Sequence, residues 1–319
     1  MEDEGRPLNP CAKIINFPKS LVPVMQNDYL CSMDKKIIIG IDVGISTTKI
    51  VGINQEGTVI SPMRITAADP ITSLYGAFGK YLHENKIHLD EVEHIKLTGV
   101  GSAYINENIY GRPTSKAEEF IADGLGARYE SNLNRMIVVS MGTGTSLVQC
   151  EGDEIRHIGG IGIGGGTLAG LCRIMLKTDD MRQIVALATE GNIYNINLFI
   201  KDICAKPLQG LPMSATASLF SNAKANASRE DIAIGLIYMV LQAIGSSSIL
   251  SSLNTGIRDF VMIGNLTLLP QCREVYPAME KLYNVRFRIP KYSEFCTAIG
   301  SALSYLRERN QGTAPKQSD

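Results

Sequence analysis

The chain has 319 residues, 45% of them hydrophobic, with 31 basic and 32 acidic side chains for a net charge of -1. The length allows two ordinary domains, the apolar share excludes general disorder, and the balanced charge leaves no footprint for nucleic acid or an acidic membrane surface. Seven cysteines without a C-x-x-C pair argue against a disulfide framework or structural zinc and for a reducing cytosol, and the lack of a run of about 18 apolar residues argues against a membrane span.

Residues 1–33 hold four prolines and no sustained period, so they are expected to be disordered or a non-native extension, with Met33 as an alternative start. The opening Met1-Glu2-Asp3-Glu4 has no basic region before an apolar core, so no secretory signal is expected. Ile37–Ile41 is a continuous apolar run, as in a buried central strand. Lys49–Ile53 and Val59–Ile65 read as the next two strands, which makes an antiparallel meander. Asp69 and Pro70 then open a helix as N-cap and first residue, with Ile71, Leu74, Tyr75, Phe78 and Leu82 as its apolar stripe. His94–Thr98 is a fourth strand, ending at Gly99. Ser115 and Glu118 have capping-box spacing, which predicts a helix from about Lys116 to Tyr129.

The opening pattern then repeats. Met136–Ser140 is a buried strand, Gly142 to Ser146 a Gly/Thr turn, and Leu147–Cys150 a returning strand. Gly159–Gly170 is glycine-dense and runs into a helix. Ser228 and Asp231 open a long helix to about Leu253, Phe260–Ile263 is a short strand before Gly264 and Asn265, and Cys296–Leu306 is the last helix. Two such units predict a duplicated α/β fold, with halves at 34–133 and 134–309, a ligand cleft between them, and a mobile tail at 310–319.

The two turns carry the chemistry. A phosphate chain needs backbone N–H donors that glycine lets approach, hydroxyls, a cation, and a carboxylate to hold Mg²⁺ through retained water. The first turn offers Gly44, Ser46, Thr47, Thr48 and Lys49, with Asp42 placed for the metal; the second offers Gly142 and Gly144. Gly160 to Gly165 also matches G-x-G-x-x-G, with Asp179 and Asp180 about 20 residues on. A dinucleotide fold needs a strand running into that acid, whereas Leu168–Lys177 reads as helix. The P-loop pattern G-x-x-x-x-G-K-[ST] is absent.

These stretches, with Thr98 to Tyr104, Lys116 to Phe120, Gly164 to Leu171, Val261 to Asn265 and Ala298 to Gly300, occur in one order over residues 36–306. Together they make the chain resemble a type II pantothenate kinase of the eukaryotic and staphylococcal kind, in the actin/hexokinase/sugar-kinase superfamily. The resemblance implies a ribonuclease H-like duplicated ATPase fold and transfer of phosphate from ATP to pantothenate, the first step toward coenzyme A. It implies Glu119 as the catalytic base, and Thr143, Ser146 and Arg156 at the acceptor, with His157 one residue out of register as the alternative to Arg156. It also implies Gly164, Gly165, Gly166 and Thr167 at the nucleotide, Gly264 and Asn265 beside the adenosine, a homodimer through the long helix, and coenzyme A or its acyl ester as feedback ligand. Ile45 stands where a second glycine is usual, and Ser102 departs from the Gly-Ala-Tyr pattern.

Other enzymes share the first turn. An N-acetylhexosamine kinase usually carries an Asp base in an Asn-Asp pair, and Asn27-Asp28, where that pair occurs here, precedes the first turn. The activator ATPase of a 2-hydroxyacyl-CoA dehydratase carries an iron–sulfur cluster, for which Cys150 and Cys172 are the nearest residues and lack the glycine-turn context. A sensor that binds coenzyme A without catalysis is a third reading.

Overall fold

The computed structural model describes residues 36–45, 47–66, 69–206 and 210–313. The expectations for residues 1–33, for Ser46 and for the last residues of the tail lie outside that set. The described residues cluster as one compact unit.

The fold begins with the expected meander. β1 (Ile37–Val43) has every residue buried. It pairs antiparallel with β2 (Thr48–Ile53), which pairs antiparallel with β3 (Val59–Ile65). Helix α1 (Pro70–Asn85) is capped as its sequence dictates: the Asp69 carboxylate accepts from Thr72 N at 2.6 Å, and Pro70 needs no partner for its nitrogen. β4 (Val92–Thr98) and β5 (Thr114–Lys116) then join β1 in parallel, giving the order β3-β2-β1-β4-β5.

Here the capping-box reading fails. Ser115 lies in edge strand β5, and its hydroxyl bonds His94 Nε2 at 2.7 Å instead of starting a helix. Ala117 N donates to Leu97 O, so ladder pairing carries past Ser115, and a local capping preference worth about 1 kcal/mol yields to it. Helix α2 (Glu119–Ser131) therefore begins at Glu119, with Glu118 as an N-cap whose side chain caps nothing.

The second half repeats the plan. β6 (Arg135–Met141), β7 (Thr145–Glu151) and β8 (Glu154–Ile161) form an antiparallel meander. Next come helix α3 (Gly165–Leu176), helix α4 (Met181–Glu190), the hairpin of β9 (Leu198–Phe199) and β10 (Thr216–Ser218) around the one-turn helix α5 (Ile200–Ile203), and helix α6 (Arg229–Ser251). β11 (Asp259–Ile263), helix α7 (Cys272–Tyr283) and β12 (Arg286–Arg288) complete a sheet of order β12-β11-β6-β7-β8, and helix α8 (Cys296–Asn310) closes the chain's described part. The two sheets thus have one topology twice. β8 runs through Gly160 into Ile161 as an antiparallel strand, and Asp180 caps α4, so the G-x-G-x-x-G segment forms no dinucleotide crossover.

Each half lends a helix to the other. α2 follows the first sheet, yet its Ala127 packs with Met136, Val138, Val148 and Val261 of the second. α8 follows the second sheet, yet its Ala298, Ile299 and Ala302 pack on Ile38, Val51 and Ile53 of the first. The helices cross at glycines: a Cβ on Gly300 would lie 1.7 Å from Ala122 O, and one on Gly126 would lie 1.8 Å from Cys296 O. Helix α6 is long and apolar enough to cross a membrane by length and composition, with 61% of that window buried inside the protein. Ser228 caps it as expected, accepting from Asp231 N at 3.0 Å.

Candidate functional site

The corresponding turns of the two sheets face one cleft of about 670 Å³. From the first sheet come Asp42, Gly44, Ile45, Thr47 and Lys49; from the second, Ser140, Gly142, Thr143, Gly144 and Ser146. The first turn of α2 supplies Glu119 and Phe120, and β8 supplies His157 and Gly160.

Charge in the cleft is arranged in pairs. Lys49 Nζ lies 3.1 Å from Asp42 Oδ2, and both side chains are nearly buried. The other Asp42 oxygen lies close over Gly99, where a Cβ would approach it to 2.5 Å. One ion-paired carboxylate at the mouth of a buried strand fits a Mg²⁺ held mostly by phosphate oxygens and water, a cation that rarely asks for an all-protein cage. Glu119 is solvent-exposed on the cleft wall. Desolvation by the cleft walls, then the Asp42 charge, raise its carboxyl above the ordinary range, and Lys49 pulls the other way. A carboxylate so placed is a stronger base than a free one.

A second cavity, of about 730 Å³, adjoins the first and shares Gly142, Thr143 and Asn265 with it. Its walls are mostly apolar, from Ala169 of α3, Met181 and Val185 of α4, and Leu266, Leu268, Leu269 and Pro270, with Arg64 and Arg182 also lining it. A polar cleft joined to a mostly apolar cavity suits a polyphosphate attached to an aromatic base. Asn265 Oδ1 is buried without a partner among the described residues, an acceptor left over for a ligand's donor. The sequence reading had no signal for these apolar walls.

Several expected residues have other work. Thr48 is buried, and its hydroxyl accepts from Ser73. Gly165 and Gly166 line the apolar cavity, but their N–H groups donate to Gly142 O and Thr143 O, at 2.8 and 2.9 Å. Gly164 is required by close approach, since a Cβ there would meet Thr143 O at 2.6 Å. Thr167 Oγ1 donates to Gly162 O. Gly164 to Thr167 thus dock the start of α3 against the second turn. Gly264 has φ of +93°, and a Cβ there would meet Met141 O at 2.6 Å, so it sets the backbone that presents Asn265.

Arg156 does not line the cleft; it donates to Gln149 at 3.3 Å. His157 lines it instead, stacked on Phe120 with ring centroids 3.9 Å apart. The cause is a register shift between β7 and β8: Ser146 pairs with Gly160, but Val148 pairs with His157. Counting back by twos from Gly160 reaches Arg156, and the extra residue turns His157 inward.

Residues 78–271 match the family profile described as Fumble, more than half of the chain. A type II pantothenate kinase of Staphylococcus haemolyticus is 29% identical over 188 residues, covering 58% of this chain and 66% of that protein. One from Bacillus cereus is 25% identical over 243 residues, covering 71% of this chain and 83% of that protein. Against the first of these relatives, the chain spans between about half and two thirds of their length. Among solved structures, the activator of the 2-hydroxyisocaproyl-CoA dehydratase from Clostridium difficile with bound ADPNP superposes with a TM-score of 0.62 at 15% identity, over 89% of this chain and 100% of that one. A ROK family glucokinase from Streptomyces griseus in complex with glucose and AMPPNP gives 0.53 at 11%, over 84% and 98%. These two share the duplicated α/β ATPase fold with this chain.

Proposed function

The chain belongs to the Fumble family of type II pantothenate kinases, and from this premise we propose that it transfers the γ-phosphoryl group of ATP to the primary hydroxyl of pantothenate. The observation that carries this reading is Glu119 standing in one cleft with the Asp42–Lys49 pair and both phosphate-type turns. ATP places its phosphates between the two turns and its base in the apolar cavity beside Asn265. Thr143 and Ser146 offer hydroxyls toward the acceptor side. Glu119 accepts the hydroxyl proton as the oxygen attacks phosphorus, and its raised carboxyl suits that task. Lys49 neutralises charge along the phosphates. Asp42 would hold a Mg²⁺ ion, which would supply positive charge to offset that of the phosphates.

The same reading takes residues 34–133 and 134–309 as the two halves of the ATPase fold, a homodimer through α6, coenzyme A or its acyl ester as feedback ligand, and a place in the cytoplasm. For the dehydratase-activator alternative the cysteines are poorly suited. Burial pushes the Cys150 and Cys172 thiols up to about 11, which disfavours the thiolates that a cluster needs.

The test is ADP release with pantothenate, with N-acetylhexosamines and without acceptor, for the wild type and Glu119→Gln. Expected is pantothenate-dependent turnover that the substitution lowers by about 10²–10⁴-fold. Turnover that Glu119→Gln leaves intact removes Glu119 as base; hydrolysis indifferent to pantothenate removes the kinase reading.

A further inference from the structure

Directly paired residues of antiparallel strands point to the same face of a sheet. Asp42 of β1 pairs with Lys49 of β2, and Lys49 pairs with Arg64 of β3. Asp42, Lys49 and Arg64 thus form one row across the cleft face of the first sheet, about 10 Å from end to end at ordinary strand spacing. The first two line the polar cleft. Arg64 lines the mostly apolar cavity beside it, and among the described residues it is the only lining residue from the first sheet.

Arg64 is held from the other half. Its Nη1 donates to Glu294 Oε2 at 3.0 Å, and Glu294 stands on the short turn Ser293–Phe295. The Ser293 carbonyl accepts from Gly264 N at 3.0 Å, and the Ser293 hydroxyl lies 2.8 Å from Thr267 Oγ1. The guanidinium is therefore tied to the segment that presents Asn265. An ion pair this exposed adds little to stability, so the fold alone does not require it. It uses one edge of the guanidinium and leaves the two faces open, and such faces stack on aromatic rings. Glu294 offsets the charge, so the cavity meets a flat, weakly hydrated surface. Arg182, the other guanidinium at this cavity, has a side chain 93% exposed and pairs with Asp180, the cap of its own helix.

We propose that Arg64 is a nucleotide-binding residue: oriented by Glu294, its guanidinium plane lies against the aromatic base in the cavity lined by Leu266, Leu268 and Val185. This rests on the nucleotide placement given above. The base then touches both halves of the fold, and the row Asp42–Lys49–Arg64 serves metal, phosphates and base in turn.

The experiment is titration calorimetry of ADP, adenosine and pyrophosphate into wild type, Arg64→Ala, Arg64→Lys and Glu294→Gln. Arg64→Ala is expected to weaken ADP and adenosine by the same factor, about tenfold, and pyrophosphate by less than about twofold. Arg64→Lys keeps the charge without the plane and weakens adenosine nearly as much. Glu294→Gln keeps the guanidinium but loosens its orientation, so its loss is smaller. In steady state, KM for ATP rises with the dissociation constant and KM for the acceptor does not follow. A purely structural role would lower the melting temperature and move all three ligands alike. Adenosine binding that survives Arg64→Ala overturns the proposal. So does a loss seen with ADP and pyrophosphate but not adenosine, which makes Arg64 a partner of the phosphates. A loss at Arg182→Ala with none at Arg64→Ala gives the base to the other guanidinium and overturns it too. Should Arg64→Ala fail to fold, wild-type adenosine affinity in Arg64→Lys overturns the proposal by itself. Wild type that binds ADP but phosphorylates no pantothenate sinks only the acceptor assignment; wild type that binds no ADP sinks the kinase reading and the proposal together.

Discussion

His157 and Arg156 show how much one residue of register decides. Both are basic and adjacent, and only the shift between β7 and β8 puts the imidazole on the cleft wall. His157 makes no hydrogen bond to another described residue, so its ring nitrogens are open to a ligand, and its stacking on Phe120 holds the plane in place beside Glu119. Removing a positioned polar contact costs about 1–3 kcal/mol, so His157→Ala is expected to raise KM for the acceptor about tenfold or more. Arg156→Ala, on an exposed site, is expected to change it by less than about twofold. Steady-state kinetics with acceptor varied at saturating ATP checks both. A large effect at Arg156 with none at His157 would mean that the strand register differs in the working enzyme.

At the level of elements, the crossing of α2 and α8 couples the halves. Gly300 and Gly126 are demanded by backbone approach, since their Cβ positions fall within 1.8 Å of carbonyl oxygens. No rotamer change relieves such a clash; the helices must move apart. Gly300→Ala is expected to cost about 3 kcal/mol or more and to lower activity, because α2 carries Glu119. Gly57→Ala, at φ of +83° with open space around it, is expected to cost only about 1 kcal/mol, from backbone strain, and to leave activity alone. Urea unfolding beside an activity assay measures both. The strands and the first helix were legible in the sequence because their signals are local: all-apolar runs for β1 and β6, and the Asp69–Pro70 cap for α1. The Ser115 capping box misled because strand pairing with β4, a contact distant in sequence, overrode it. The apolar cavity and Asp123 were illegible for the same reason. Leu266 and Met181, or Asp123 and Thr297, meet only once the chain has folded.

For the whole molecule, two buried groups set opposing pH slopes. Asp123 has its carboxyl raised from 3.8 to about 7, so the stability that its neutral form contributes is present below 3.8 and is lost as pH rises through about 7. His94 is buried against Tyr305 and bonded to Ser115, and burial first, then Lys96, lower its imidazole from 6.5 to about 4. Its contribution is present above 6.5 and is lost as pH falls toward about 4. Between about pH 7.5 and about pH 5, acidification therefore gains about 2–3 kcal/mol at Asp123 and loses about 2 kcal/mol at His94. The two nearly cancel, and wild-type stability is expected to be flat across that window. Each single substitution uncovers the other slope. Asp123→Asn is expected to lose about 2 kcal/mol on going from about pH 7.5 to about pH 5, and His94→Gln to gain about 2–3 kcal/mol over the same interval. Urea unfolding at both pH values, with the denaturant slope held constant, reads the differences directly. Asp123 and His94 belong to different elements, so their contributions are expected to add in the double variant, which should be flat again. If the wild type already slopes steeply and neither substitution changes the slope, other groups dominate the proton balance. Asp123 would then be ionised, or both groups solvated, in the folded protein.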